Sequence, residues 1–227
     1  SPQDKIIYAI GNYNDEEKVY SMIPDGSKLL PELETMTISN KNGFKDTNLL
    51  MVGKQMVQID GLVTNATIPM ERLVARLDVY MFKSRRLENN TVILKSIELV
   101  NQITNTRGEY QNTIMVSPVE TQNDLRTISS NNVLGVMPDD MSGIIPDNAT
   151  ESFYSYQNIA ASADPDPNVT PYLLITADID GVSHRYKGYI TDSGQTTDKY
   201  SLKRNTVYRI IAMLDNPDNL LILKTTT

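Results

Sequence analysis

The sequence predicts an all-β chain, built as two β-sandwich domains with long polar loops. Three observations carry this. Short segments of alternating apolar and polar residues recur from end to end, separated by Gly, Asn, Asp, Ser and Pro. Asp180-Gly181 lies between two such segments as a two-residue hairpin signal of the primed-turn type. No long helical stripe and no repeat at solenoid spacing breaks the pattern.

Taken in order, Ile6, Ile7, Tyr8, Ala9 and Ile10 form a first short strand, closed by Gly11-Asn12. Residues 29–34 predict a short helix, with Pro31 suited to its first turn. Asn42-Gly43 marks a turn. Residues 49–52 and 55–59 read as two strands around Gly53-Lys54. Residues 70–82 fit two periods. Leu73, Ala75, Leu77, Val79 and Met81 alternate opposite Arg72, Arg76 and Asp78, while Met70, Leu73, Val74, Leu77 and Met81 fit a helical stripe. The alternation continues longer than the stripe, which favours a strand. Residues 91–104 alternate again, with Ile93, Ile97 and Leu99 on one side and Ser96 and Glu98 on the other. A turn at 106–109 allows 114–116 to pair back. Ser, Asn, Asp and Pro then dominate 117–170, broken by 132–137 and by Phe153-Tyr154-Ser155-Tyr156. The domain boundary expected near Pro118 gives an N-terminal domain of 1–118 and a C-terminal domain of 119–227.

The last quarter, 172–227, is the clearest sheet. Pairing Ile179 with Val182 puts Leu173, Ile175, Ala177, Ile179, Val182, His184 and Tyr186 on one face. Thr176, Asp178, Ser183, Arg185 and Lys187 take the other, with Asp178 diagonal to Arg185. A third strand follows over 205–211. Asn216-Pro217-Asp218-Asn219 then turns the chain into Leu220, Leu221, Ile222 and Leu223, apolar on both faces. Burying four such side chains is worth on the order of 6–12 kcal/mol as an upper bound. A strand of this kind is expected either in the middle of its own sheet or completing the sheet of another chain, not at an exposed edge.

Composition narrows the function. The chain has 227 residues, 40% hydrophobic and 22% charged, ordinary values for a globular protein with a real core. Its net charge is −7, and no Lys/Arg run exceeds Arg85-Arg86, which argues against nucleic acid as a partner. With no cysteine there is no disulfide, no thiolate nucleophile and no cysteine-ligated zinc or iron–sulfur site, and the absence points to a cytosolic or bacterial protein. Four N-x-[ST] sequons (Asn65, Asn89, Asn148, Asn168) are what an Asn- and Thr-rich chain gives by chance. No segment approaches the ~18 apolar residues of a membrane span. The start at Ser1-Pro2, without Met and close to a strand, reads as a processed or trimmed product.

Three stretches resemble the FimA-like fimbrillins, the structural pilins of type V pili in Bacteroidetes-type bacteria. Arg72 with Leu73-Val74-Ala75-Arg76-Leu77-Asp78-Val79 looks like the basic-flanked strand of that family's N-terminal domain. Phe153-Tyr154-Ser155-Tyr156-Gln157-Asn158 looks like the aromatic-then-Asn segment of its C-terminal domain. Leu202-Lys203-Arg204-Asn205-Thr206-Val207-Tyr208-Arg209-Ile210 is similar to its Leu-x-Arg-Asn-x-x-Tyr strand. The resemblance implies two transthyretin-like β-sandwich domains and a lipoprotein precursor exported across the outer membrane to a cell-surface fimbria. It also implies cleavage after an Arg by a trypsin-like protease, leaving a groove filled by the C-terminal strand of the next subunit. That donor segment maps onto Asn219, Leu220, Leu221, Ile222, Leu223 and Lys224, and the groove side onto Ile6, Ile7, Tyr8, Ala9 and Ile10. Members of the family usually run on past this point, often with a Trp. This chain has none, so its end reads as truncated, trimmed or divergent.

Chemistry elsewhere is sparse. His184 is the one histidine and lies on the apolar face of the hairpin, where a packed, hydrogen-bonded role outweighs a catalytic one. A lone histidine without cysteine makes zinc improbable. Asp164, Asp166 and Asn168 have the spacing that opens a calcium loop, but Val169 and Ile175 stand where Gly and Glu are needed, and Pro165 and Pro167 suggest an extended linker. No glycine-rich phosphate loop is present. Tyr154 and Tyr156 are a candidate adhesive surface for stacking on a sugar, although alternating aromatics in a β protein are usually core. The expectation is therefore a non-enzymatic pilin without a cofactor, partnered by other subunits of its fibre. The alternative is a tip or accessory adhesin that binds a host or bacterial glycan or protein receptor through the 117–170 loops.

Overall fold

The computed structural model describes residues 3–12, 34–40, 42–45, 49–62, 64–112, 114–129, 132–138, 140–143, 145–159, 164–191, 199–217 and 221–227. The described residues are all-β. The strands are β1 (Gln3–Gly11), β2 (Thr37–Ser39), β3 (Met51–Ile59), β4 (Met70–Arg72), β5 (Val74–Lys83), β6 (Val92–Ile103), β7 (Asn105–Arg107), β8 (Thr121–Thr127), β9 (Glu151–Tyr156), β10 (Tyr172–Ile179), β11 (Val182–Tyr189), β12 (Val207–Leu214) and β13 (Leu221–Thr226), with a single 3-10 turn at Arg85–Leu87. The helix expected over 29–34 lies outside the described residues, apart from Glu34. No helix among the described residues is long and apolar enough to cross a membrane.

Two four-stranded sheets face each other, one ordered β11-β10-β6-β8 and the other β13-β12-β5-β9. Their inner faces supply one core. Leu173, Ile175, Ala177 and Ile179 of β10 meet Ala75, Leu77, Val79 and Met81 of β5 and Tyr208, Ile210, Ala212 and Leu214 of β12. The hairpin forms as its turn residues dictate: Ile179 pairs with Val182, and Asp180 and Gly181 hold φ values of 49° and 86°. On its outer face Asp178 is diagonal to Arg185, as expected, and its ion pair is with Lys95 of β6 at 3.0 Å.

A smaller three-stranded sheet, β1-β3-β4, and the two-stranded β2-β7 enclose a second core. It gathers Ile38, Leu49, Leu50, Val52, Leu73 and Ile103 with Tyr154 and Tyr156 of β9. Strands β4 and β5 are separated only by Leu73, and β6 and β7 only by Thr104, so the chain passes from this module into the sandwich and back along two nearly continuous strands. β5 and β6, which precede Pro118, therefore share both sandwich sheets with β8 to β13. A division at Pro118 does not separate two sandwiches, because both four-stranded sheets draw strands from each side of it.

Three local expectations are corrected. The two strands expected around Gly53 are one: β3 runs through it, with Ala9 paired to Gly53. Glycine is needed there because a Cβ would meet the Pro69 carbonyl oxygen at 2.4 Å. Ile93 does not share a face with Ile97. The β6–β10 register steps from Ser96 to Leu94, leaving Lys95 as an extra residue, so Val92 and Leu94 face the core before the bulge and Ile97 and Leu99 after it. Residues 114–116 form no strand, and Ile114 is exposed.

Candidate functional site

The C-terminal strand lies at an edge of its own sheet and not in its middle. β13 pairs antiparallel with β12, from Leu214↔Leu221 to Arg209↔Thr226, and borders no other strand in its sheet. Its two-sided apolar pattern has a tertiary cause. Leu221 and Leu223 pack on the sandwich core, while Ile222 packs on the other face against Met137, Met141, Ile211 and Met213. The loop carrying Met137 and Met141 covers what an edge strand would otherwise expose. Leu221, Ile222 and Leu223 are only half-buried, and Lys224 is exposed. Asn219 and Leu220 lie outside the described residues.

At the other end, among the described residues β1 is the edge of its own sheet and pairs only with β3. Ile6 sits opposite Met56, Tyr8 opposite Lys54 and Ile10 opposite Val52. The proximal part of this row, Tyr8, Ile10 and Val52, packs into the smaller core. Its distal continuation does not: Ile6 is 50% and Met56 63% exposed. Ile7 and Ile59 are exposed as well, whereas Ala9 is half-buried. An unpaired strand edge with an apolar face beside it is a surface for strand addition. No strand pairing joins β1 to β13 within the chain.

Tyr154 and Tyr156 are not a surface. They are 6% and 1% exposed, on the face of β9 turned to the smaller core, while Phe153 on the opposite face enters the sandwich core. β9 is covered on both sides, so its alternate aromatics serve two cores.

The three segments that carry the resemblance meet in space. β5 lies between β9 and β12, with Arg76 opposite both Tyr154 and Val207. Arg72, Val74 and Arg76 from the first segment, Tyr154 from the second and Asn205, Thr206 and Val207 from the third line one cavity of about 290 Å³, walled by Leu49 of the smaller module. Its rim is fixed by the backbone. Asn205 Oδ1 accepts the Arg72 N–H at 3.1 Å, the Asn205 N–H donates to the Val74 carbonyl at 2.8 Å, and the Arg76 N–H donates to the Thr206 carbonyl at 2.9 Å.

No family model and no curated protein matches the chain. Solved structures do. A proposed cell adhesion protein from Parabacteroides distasonis superposes with a TM-score of 0.67 at 13% identity, over 97% of this chain and 74% of that one. The tip fimbrial protein Mfa3 from Porphyromonas gingivalis, with a C-terminal truncation, gives 0.58 at 15% identity over 99% and 80%. A fimbrilin (FimA) from Porphyromonas gingivalis gives 0.56 at 14% identity over 93% and 73%. This chain has the fold of fimbrial proteins. The resemblance drawn from three short segments is thus met at the level of the fold.

Within this fimbrial fold, one group escapes sequence reasoning. Arg204, in the turn before β12, is buried, its side chain 5% exposed. Its Nε donates to Gln157 Oε1 at 3.3 Å and its Nη1 to the Glu109 carbonyl at 3.0 Å, with Glu71 Oε1 3.4 Å away. Glu71 also accepts the Gln111 N–H at 2.6 Å. The cluster ties β4, the 109–111 turn, the segment after β9 and the turn before β12 together, where the two cores meet. Burial pulls the Arg204 guanidinium below its ordinary pKa, opposed chiefly by Glu71. Tyr8 of β1 stands beside it, donating its hydroxyl to the Gly108 carbonyl. Burial first, and then the Glu34 carboxylate, pushes the Tyr8 phenol up to about 12. The Arg-Asn pair was visible in the sequence, but the burial of Arg204 depends on Gln157, Glu109 and Glu71, all remote along the chain. His184 is half-buried rather than packed, its Nδ1 3.0 Å from the Pro217 carbonyl oxygen.

Proposed function

We propose that this chain is a structural subunit of a cell-surface fimbria that joins its neighbours by β-strand exchange. The observation that carries the reading is the pair of edges. Among the described residues, β1 leaves an unpaired edge beside the exposed Ile6, Ile7, Met56 and Ile59, and β13 is itself an edge strand held by half-buried residues. Withdrawing Leu221, Ile222 and Leu223 from partial burial forfeits on the order of 2–4 kcal/mol, which a deeper site on a neighbour recovers. The fimbrial fold and the resemblance both support assembly with other subunits at the cell surface. Export as a lipoprotein precursor and proteolytic maturation belong to the same reading.

A strand held in a neighbour's sheet is released slowly, so such fibres survive mild detergent and fall apart on boiling. The test is an immunoblot of native surface extract, mildly heated against fully boiled. A ladder that collapses to one band on boiling is the expected result. A single band in both lanes overturns the reading.

A further inference from the structure

The cavity bounded by β4, β5, β9 and the turn before β12 has a chemistry that strand exchange leaves unused. Two arginines, Arg72 at the end of β4 and Arg76 of β5, line it in a chain whose net charge is −7. Arg76 shares its charge with Asp78, Nε to Oδ1 at 2.7 Å, and Asp78 is held in turn by the Ser152 hydroxyl at 2.6 Å. Arg72 makes no ion pair among the described residues. A guanidinium is planar, permanently charged and suited to grip a carboxylate with two parallel hydrogen bonds.

The remaining lining sorts into two kinds. Asn205 and Thr206 bring polar groups to the rim, held in place by the backbone bonds to β4 and β5. Leu49, Val74, Tyr154 and Val207 bring apolar walls. A volume of about 290 Å³ sits at the small end of ligand pockets, enough for one ring and too short for an extended peptide. From these features we infer that the cavity binds a single acidic sugar unit, a pyranose bearing a carboxylate. The carboxylate faces Arg72, with Arg76 as a second cation, the ring hydroxyls meet Asn205 and Thr206, and the ring C–H faces lie against the valines. The site uses no residue of β1 or β13, so it stands or falls separately from polymerisation.

The test is a two-dimensional amide NMR titration of the whole chain with glucuronate, against glucose, acetate and a glutamate-rich peptide. Expected are saturable shifts at the Arg72, Arg76, Asn205 and Thr206 amides, with a half-saturation for glucuronate at least tenfold below that of glucose, acetate or the peptide. Arg72→Gln raises it at least tenfold without changing the thermal unfolding midpoint. Val207→Glu, at a position 48% exposed, places a carboxylate in the cavity and abolishes the shifts. Glucuronate binding no better than acetate overturns the proposal, as does binding that survives both substitutions. Tighter binding of the peptide reassigns the cavity to a protein partner and overturns it equally.

Discussion

Gly188 of β11 lies against Leu223 of β13 so closely that a Cβ added to the glycine would stand 2.7 Å from Leu223 Cδ1 and 2.8 Å from Leu221 Cδ2. The edges of the two sandwich sheets meet at this contact, and it seats the last strand. Gly188→Ala forces the two leucines outward. The expected cost is about 1–3 kcal/mol in urea unfolding, as for other overpacked sites. Hydrogen exchange of the β13 amides should accelerate before that of β12, because the outer strand opens locally. Unchanged β13 protection would mean that Leu221 and Leu223 do not anchor it.

The β1 edge separates fold from assembly. Ile6 and Met56 are opposite each other and half exposed or more, so neither contributes much to the folded monomer. Ile6→Lys should change stability by no more than about 0.5 kcal/mol, in keeping with surface substitutions. It should also remove the heat-sensitive ladder, since a charged residue on an edge blocks strand addition. A ladder of wild-type intensity from the substituted protein would place the acceptor surface elsewhere.

Burial decides which ion pairs matter. Arg204 is 5% exposed beside Glu71, and its removal leaves a largely buried carboxylate without its cation. Arg204→Ala should cost about 3–5 kcal/mol. Arg86, 73% exposed and 3.4 Å from Asp215, makes a comparison, and Arg86→Ala should cost under about 1 kcal/mol. Chemical denaturation of the two variants side by side checks the contrast. Equal losses would show that the Arg204 cluster does not hold the two cores together.

Tyr8 ties stability to alkaline pH. Its phenol titrates near 12 in the folded chain, against 10.0 for an unperturbed tyrosine. Between those values the folded chain keeps a proton that the unfolded chain loses, so unfolding free energy falls as pH rises through this window. The contribution is complete below pH 10 and lost as pH passes about 12. Tyr8→Phe should flatten the decline between pH 10 and 12 while leaving its slope below pH 9 unchanged. Identical slopes for both proteins would show that Tyr8 is not the group responsible.

The parts of this fold that were legible in the sequence are those governed by near neighbours. The β10–β11 register follows from Asp180-Gly181 and the alternation around it. The strand reading of 70–82 follows from the alternation of Leu73, Ala75, Leu77, Val79 and Met81, and this stretch forms β4 and β5. Where the sequence misled, a distant group was responsible. Gly53 looked like a turn, but its missing Cβ makes room for the Pro69 carbonyl. Ile93 looked like core until the bulge at Lys95 shifted the phase of β6. Tyr154 and Tyr156 admitted both a surface and a core reading, and the second core that lies over them makes them core.

The same distinction runs through the functional site. The sequence by itself determined the all-β class, the hairpin, and the three segments whose resemblance pointed to a fimbrial fold, because backbone periodicity and turn chemistry are local. Only the tertiary structure decided that β13 is an edge strand, that its outer face is covered by Met137 and Met141, and that Arg72, Tyr154 and Asn205 line one cavity. The same holds for the burial of Arg204 against Glu71, 133 residues apart in the chain. A two-sided apolar strand is satisfied equally by a central position, a covering loop or a neighbouring subunit, and that choice depends on which surfaces the rest of the chain brings beside it.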